Sequence, residues 1–234
     1  MDIPRNIRDG EEFSLDELKK YLSENNISAE NLSLKQFPSG YSNLTYFLQS
    51  SSKQFVLRRP PFGAKSLQGG HDMLREYNVL KNLKSQFSKV PDVFLYCDNN
   101  EILGAPFYLM ERVEGYIIRP NLQQKDSPGS DIIQNVSKSL VSTLVELHNV
   151  NIEKANLKDL GNINGYVKRQ VEGWIKRYNH SKTDNIENMD FISTWLYENQ
   201  PSEVGSSIVH NDFKYDNLVL DKDDLSKISA EIAR

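Results

Sequence analysis

His210, Asp212 and Asn217 stand in the order H-x-D-x-x-x-x-N within Ile208-Val-His-Asn-Asp-Phe-Lys-Tyr-Asp-Asn-Leu-Val-Leu220, flanked by short apolar, β-branched runs. Phosphoryl transfer asks for these residue types at this spacing. One carboxylate orients an attacking hydroxyl and accepts its proton, and oxygen ligands a few residues away hold a magnesium ion against the phosphates. Asp212 fits the first role and Asn217 the second. The same cluster also fits a polar turn between two strands, because Asn and Asp favour turns for their own backbone reasons.

The elements around this segment follow from periodicity. Leu15, Leu18, Tyr21 and Leu22 share one face of a helix from Ser14 to Asn25, with Ser14 as N-cap and Glu17 completing a capping box; it is expected to be peripheral. Leu34–Phe37, Leu44–Leu48 and Gln54–Arg58 alternate as strands of an antiparallel meander, separated by the turns Pro38–Asn43 and Ser50–Lys53. Met73, Tyr77, Leu80 and Leu83 predict a helix over His71–Lys84, followed by strands at Val93–Cys97 and Phe107–Val113. Beyond them, helices are predicted at Ile132–Asn149, Tyr166–Tyr178 and Asp190–Asn199. This order gives an α+β, two-lobed fold with an antiparallel β lobe over 1–113 and a mainly helical lobe over 114–234 that carries the Asp212 segment.

Composition narrows the class. The 234 residues, 38% hydrophobic, can bury a substantial core, and a net charge of −4 without a long basic run argues against a nucleic-acid partner. Nor is there an apolar run long enough to span a bilayer, and the charged Met1-Asp-Ile-Pro-Arg5 start lacks the apolar core of a signal peptide. With one cysteine, Cys97, no internal disulfide is possible; a cytoplasmic setting is expected, and Cys97 reads as a half-buried packing residue. Trp174, Trp195 and Tyr178 fall at helical positions and are expected to pack in the core or against the lobe. Among the histidines, His71, His148 and His180 lie in polar or helix-end contexts, and no pair has zinc-ligand spacing. The oligomeric state is left open.

Five segments, in order, resemble the aminoglycoside phosphotransferase and choline kinase family: Phe37-Pro-Ser-Gly-Tyr-Ser-Asn-Leu-Thr-Tyr46, Phe55-Val-Leu-Arg-Arg-Pro-Pro61, Arg75-Glu-Tyr77, Phe107-Tyr-Leu-Met-Glu-Arg-Val-Glu-Gly115 and His210-Asn-Asp-Phe-Lys-Tyr-Asp-Asn217. They are most similar to the branch that occurs alone in bacteria or fused to acyl-CoA dehydrogenases. The resemblance covers about residues 30 to 230 and implies a protein kinase-like fold, ATP and Mg²⁺ as cofactors, and a small molecule with a hydroxyl group as phosphate acceptor. It implies that the loop at Gly40 covers ATP. From the residues themselves, Gly40 lets backbone amides approach phosphate or is an ordinary hairpin glycine, and Ser42 and Asn43 offer side-chain donors. Arg58 stands where kinases place a phosphate-binding lysine, with Glu76 as its counter-ion; both also fit solvated surface charges. Main-chain groups near Glu111 and Val113 are implied as the adenine hinge, with Met110 behind them and Gly115 releasing the chain into the second lobe.

The chain departs from the family's pattern at its end. The family's next strand carries a second metal-binding aspartate; by register Ala233 stands there, and the sequence stops at Arg234. The expectation is an incomplete helical lobe: a shortened chain, a frameshifted reading frame or a degenerate paralogue. An ATP-dependent phosphotransferase acting on a hydroxyacyl compound or an aminoglycoside-like acceptor is therefore expected beside two alternatives, a catalytically silent nucleotide-binding or interaction module and a fragment.

Overall fold

The computed structural model describes residues 3–38, 43–63, 71–119 and 129–231, so Gly40, Ser42 and Ala233 lie outside the described residues. Five strands, β1 (Ser33–Gln36), β2 (Leu44–Gln49), β3 (Gln54–Arg59), β4 (Val93–Cys97) and β5 (Phe107–Glu111), form an antiparallel sheet in the order β1-β2-β3-β5-β4. The expected meander is present, and β5 inserts between β3 and β4. That places β3 and β5 centrally, which is why Phe55-Val-Leu57 and Phe107-Tyr-Leu-Met110 are apolar at consecutive positions: side chains alternate between two faces, and both are covered.

On one face Tyr46, Leu48, Phe55, Leu57, Phe107 and Leu109 pack with Leu18 and Leu22 of α1 (Leu15–Glu24). On the other, Val56, Tyr108 and Met110 pack with Met73, Tyr77 and Leu80 of α2 (Met73–Leu83). Ser14 caps α1 as expected, its Oγ accepting the Glu17 N–H at 3.2 Å. The helix is not peripheral, however. Leu18 and Leu22 are fully buried, and each such leucine is worth about 1.5–3 kcal/mol of transfer free energy. Similarly, Cys97 is buried in this core rather than half-buried. α2 starts at Met73 rather than His71 because Asp72 caps it, accepting the Arg75 N–H at 2.9 Å. A short α3 (Asn100–Leu103), absent from the sequence expectations, is capped by Asn99 and closed by Gly104 at φ +77°.

The remainder of the chain divides. The segments 129–157 and 208–231 belong to the same compact unit as the sheet, whereas Lys158–Ser207 forms a second unit. Within the first, α4 (Ser130–His148) packs Val136 and Leu140 against a two-stranded hairpin of β6 (Leu218–Leu220) and β7 (Ile228–Glu231), through Leu218, Leu220 and Ile228. This small core lies directly beneath the His210–Asn217 loop, which feeds β6 through a 3-10 turn at Tyr215–Asn217. The second unit holds α5 (Tyr166–Ser181) and α6 (Met189–Glu198), which pack on each other. The expected burial of Trp174 and Trp195 is overturned: they are 64% and 52% exposed. Two helices alone cover little of each other's surface, and the Trp174 ring is instead covered by the Arg177 guanidinium, 4.1 Å from its centroid.

Candidate active site

The His210–Asn217 loop is fastened at both ends. Asn211 adopts φ +67°, the left-handed conformation that Asn tolerates better than most residues, and so reverses the chain between His210 and Asp212. The Asp212 N–H then donates back to His210 Nδ1 at 3.1 Å. Asn217 closes the loop from the other side, its Nδ2 donating to the Asp212 carbonyl at 2.9 Å and to the Asp212 carboxylate at 3.0 Å. Lys214 reaches the same carboxylate oxygen at 3.1 Å. Burial raises the Asp212 pKa, but the hydrogen bonds from Lys214 and Asn217 and the neighbouring positive charge outweigh it, holding the carboxyl below its ordinary value. The structure thus brings Asp212 and Asn217 into direct contact, with Asp212 ionised and still open to solvent on one side.

Asn217 is buried, and its Oδ1 has no hydrogen-bond partner among the described residues. An unsatisfied buried carbonyl costs about 1–3 kcal/mol, a cost that a hard cation's oxygen-seeking coordination would remove. The Asn217 Oδ1 thus fits a ligand to a magnesium ion, beside the Asp212 carboxylate.

A second constellation lies on the α2 face of the sheet. Arg58, almost entirely buried, pairs through Nε with Glu76 Oε2 at 3.2 Å, and its Nη2 reaches Oε1 at 3.5 Å. Arg59 projects from the other face, donating to the Leu103 carbonyl at 2.8 Å, so the β3 register places Arg58 rather than Arg59 opposite Glu76. Asn43 donates to Glu76 Oε1 at 2.9 Å, and the Tyr108 hydroxyl to Oε2 at 3.0 Å. Burial, with Glu76 beside it, pushes the Tyr108 pKa upward against the pull of Arg58, so it stays a donor. Glu76 is therefore held by three side chains. Asn43 is itself anchored by His71, whose Nδ1 lies 2.8 Å from its Oδ1; it ties the end of the turn before β2 to α2.

Sequence reasoning missed Tyr108 and His71. Tyr108 reads as a core position because its polar end is visible only once β3–β5 pairing sets it directly opposite Arg58. The polar loop context of His71 holds no signal that singles it out. Lys214 was missed as well, and so was the contact made by Glu231, which lies in β7 with its carboxylate on His210 Nε2. Burial lowers the His210 pKa, but the Glu231 hydrogen bond and charge raise it more, for a net upward shift.

Glu111 and Val113 occupy the end of β5 and the segment after it. The Glu111 N–H donates to the Asp92 carbonyl at 2.7 Å, its carboxylate accepts the Asp92 N–H at 3.1 Å, and the Val113 carbonyl accepts from Arg112 at 3.0 Å. The strand ends at Glu111 rather than Val113. Gly115 matters for closeness rather than flexibility. A Cβ there would lie on the Leu220 carbonyl oxygen and 2.6 Å from Val219 Cγ1, and Tyr116 exchanges both backbone hydrogen bonds with Leu220, at 2.9 and 2.7 Å. The segment after β5 is thereby bonded to the strand that follows Asn217.

A family model described as the phosphotransferase enzyme family matches residues 33–228. The chain is 43% identical over 189 residues to rat (Rattus norvegicus) acyl-CoA dehydrogenase family member 11, covering 80% of this chain and 24% of that protein. It is 33% identical over 207 residues to mouse (Mus musculus) acyl-CoA dehydrogenase family member 10, covering 87% of this chain and 19% of that protein. The chain thus spans about a quarter or less of the length of these curated relatives. Among solved structures, a protein of Ralstonia eutropha assigned to the aminoglycoside phosphotransferases superposes with a TM-score of 0.80 at 26% identity, over 95% of this chain and 64% of that one. The GDP and kanamycin complex of APH(2″)-IIIa shares the fold, with a TM-score of 0.67 at 17% identity over 94% of this chain and 72% of that one. With the match running through both the five-stranded sheet and the Asp212 loop, the chain belongs to the phosphotransferase enzyme family, alongside acyl-CoA dehydrogenase family members 10 and 11.

Proposed function

We propose that the protein transfers the γ-phosphate of ATP to a hydroxyl group of a small molecule, with Asp212 as the residue that receives the hydroxyl proton. The observation that carries this reading is the Asp212–Asn217 pair: an ionised, solvent-accessible carboxylate beside a buried amide oxygen with no hydrogen-bond partner among the described residues. In the step, the acceptor oxygen bonds to the γ-phosphorus, its proton passes to Asp212, and the bond to the bridging oxygen breaks, ADP leaving with the electron pair. Asn217 Oδ1 would help hold magnesium, which supplies charge shielding at the phosphates. Arg58 serves the α- and β-phosphates, and Glu76, Tyr108 and Asn43 fix its orientation.

Gly40 and Ser42 belong to the loop expected to cover the nucleotide, and main-chain groups near Glu111 and Val113 to the adenine edge. An adenine bound through the Glu111 N–H or the Val113 carbonyl would have to displace Asp92 or Arg112. The identity to acyl-CoA dehydrogenase family members favours a hydroxylated acyl compound as acceptor over an aminoglycoside. A second reading, nucleotide binding without turnover, is favoured by one observation, the alanine at position 233 where the family's pattern has a metal-binding aspartate. Incubation with γ-labelled ATP, Mg²⁺ and a panel of hydroxyacyl thioesters and amino sugars separates the two. Label transfer that falls by about 10²–10⁴ in Asp212→Ala, with nucleotide affinity retained, supports the phosphotransferase. Nucleotide binding with no transfer to any acceptor supports the silent module, and equal loss of binding and transfer in Asp212→Ala removes the assigned role.

A further inference from the structure

Glu231 is a charged residue at a core position. It ends β7, lies opposite Leu218 in the hairpin, and its side chain is 8% exposed. An apolar residue there would avoid the cost of desolvating a carboxylate, so hairpin packing does not account for it. What the carboxylate touches is the His210 imidazole, whose side chain is 9% exposed, through Nε2. The opposite nitrogen, Nδ1, accepts the Asp212 N–H at 3.1 Å, and can do so only as a bare lone pair. The ring must then carry its proton on Nε2. An ionised carboxylate, which only accepts, fixes that tautomer. The Phe213 ring stands edge-on to the imidazole at 5.4 Å, restricting its rotation. Glu231 is itself anchored, its N–H donating to the Lys89 carbonyl at 2.8 Å.

We propose that Glu231 is a positioning residue: through His210 it holds the Asp212 main chain in the geometry from which the Asp212 carboxylate works. The connection runs from the Glu231 carboxylate to His210 Nε2–H, from the Asp212 N–H to His210 Nδ1, and from Asn217 Nδ2 to both the Asp212 carbonyl and carboxylate. Without the carboxylate, the imidazole is free to place its proton on Nδ1, where it would oppose the Asp212 N–H and release the turn at Asn211. The consequence for activity rests on the phosphotransferase reading of Asp212; the consequence for the loop does not.

The test uses the full chain with Glu231→Leu and Glu231→Met. Leucine fills comparable volume and removes the buried charge but leaves the buried His210 Nε2–H without its acceptor, so the melting temperature should fall only modestly. The turnover number should nevertheless fall roughly tenfold to a hundredfold with nucleotide affinity unchanged, as expected for a misplaced catalytic group. A residue that only stabilised the hairpin would lower stability and leave the turnover number of the folded chain unchanged, which would overturn the proposal. Nitrogen-15 NMR of the imidazole should show a single Nε2–H tautomer in the wild-type chain and a mixture in the variants, with the Asp212 amide exchanging roughly tenfold faster. If Glu231→Leu does not fold, Glu231→Met, which also lacks a carbonyl acceptor, carries the same readouts. Unchanged tautomer and unchanged Asp212 amide exchange refute the inference whatever the activity. A wild-type chain that moves no phosphate refutes the function, while the two NMR readouts still decide the positioning.

Discussion

Replacing Gly115 by alanine tests how the sheet is joined to the Asp212 loop. The added methyl meets the Leu220 carbonyl oxygen and lies 2.6 Å from Val219 Cγ1, closer than non-bonded heavy atoms come. The Val219 side chain can turn away, but Leu220 presents backbone, held in the β6–β7 pairing, and cannot yield without moving the strand. Overpacking of this kind costs about 1–3 kcal/mol, and separating the segments weakens the two Tyr116–Leu220 backbone hydrogen bonds, worth about 1 kcal/mol each. The sum, about 3–5 kcal/mol if both bonds are lost, corresponds to a melting temperature lower by roughly 6–20 °C for a chain of this length. Because β6 begins at Leu218, directly after Asn217, the displacement should also raise the KM for Mg-ATP. Differential scanning calorimetry of Gly115→Ala beside Gly161→Ala, where a Cβ meets nothing within 4 Å, provides the comparison. A Gly115→Ala chain that melts with the control would show that the close approach to β6 is not a constraint.

Tyr108→Phe removes one of three donors to Glu76, a hydrogen bond to a charged group worth about 1.5–3 kcal/mol. Stability should fall by that order and the nucleotide KM should rise with the turnover number largely kept; an unchanged melting temperature and KM would refute the orienting role. Lys214→Met removes a hydrogen bond and a charge that both lower the Asp212 pKa, so that pKa should move up. Since the depressed carboxyl works in its ionised form, the acid limb of kcat/KM should shift to higher pH in this variant. The small stability that the depression contributes, present above the unfolded pKa and lost as pH falls through the folded one, should shrink with it. An acid limb that stays in place would mean that another group sets it.

Much of the fold was legible because alternation in Leu44–Gln49 and helical spacing in Met73–Leu83 are local signals. The Ser14 cap was legible for the same reason. The depth of α1 was not, since an amphipathic helix shows which face is apolar but not whether a sheet or solvent meets it. Trp174 and Trp195 failed in the opposite sense: aromatic residues at helical spacing suggest burial, yet α5 and α6 offer too little mutual surface. In the site, the family resemblance set Arg58 against Glu76, and the two are paired; the direct hydrogen bond of Asn217 to Asp212 became visible only with the loop's geometry. Tyr108 and Glu231 needed strand register. Each has its polar end on a partner remote in sequence, Glu76 for one and His210 for the other, and no pattern within a strand reports that.

The central claim is that Asn217 presents its buried oxygen to a magnesium ion beside a proton-accepting Asp212. Calorimetric titration of ATP into the wild-type, Asn217→Ala and Asp212→Ala chains, with and without Mg²⁺, measures it most directly. Mg²⁺ should strengthen ATP binding markedly in the wild-type chain, and the gain should be lost in Asn217→Ala and largely kept in Asp212→Ala. ATP binding by the wild-type chain that is the same with and without Mg²⁺ would contradict the account.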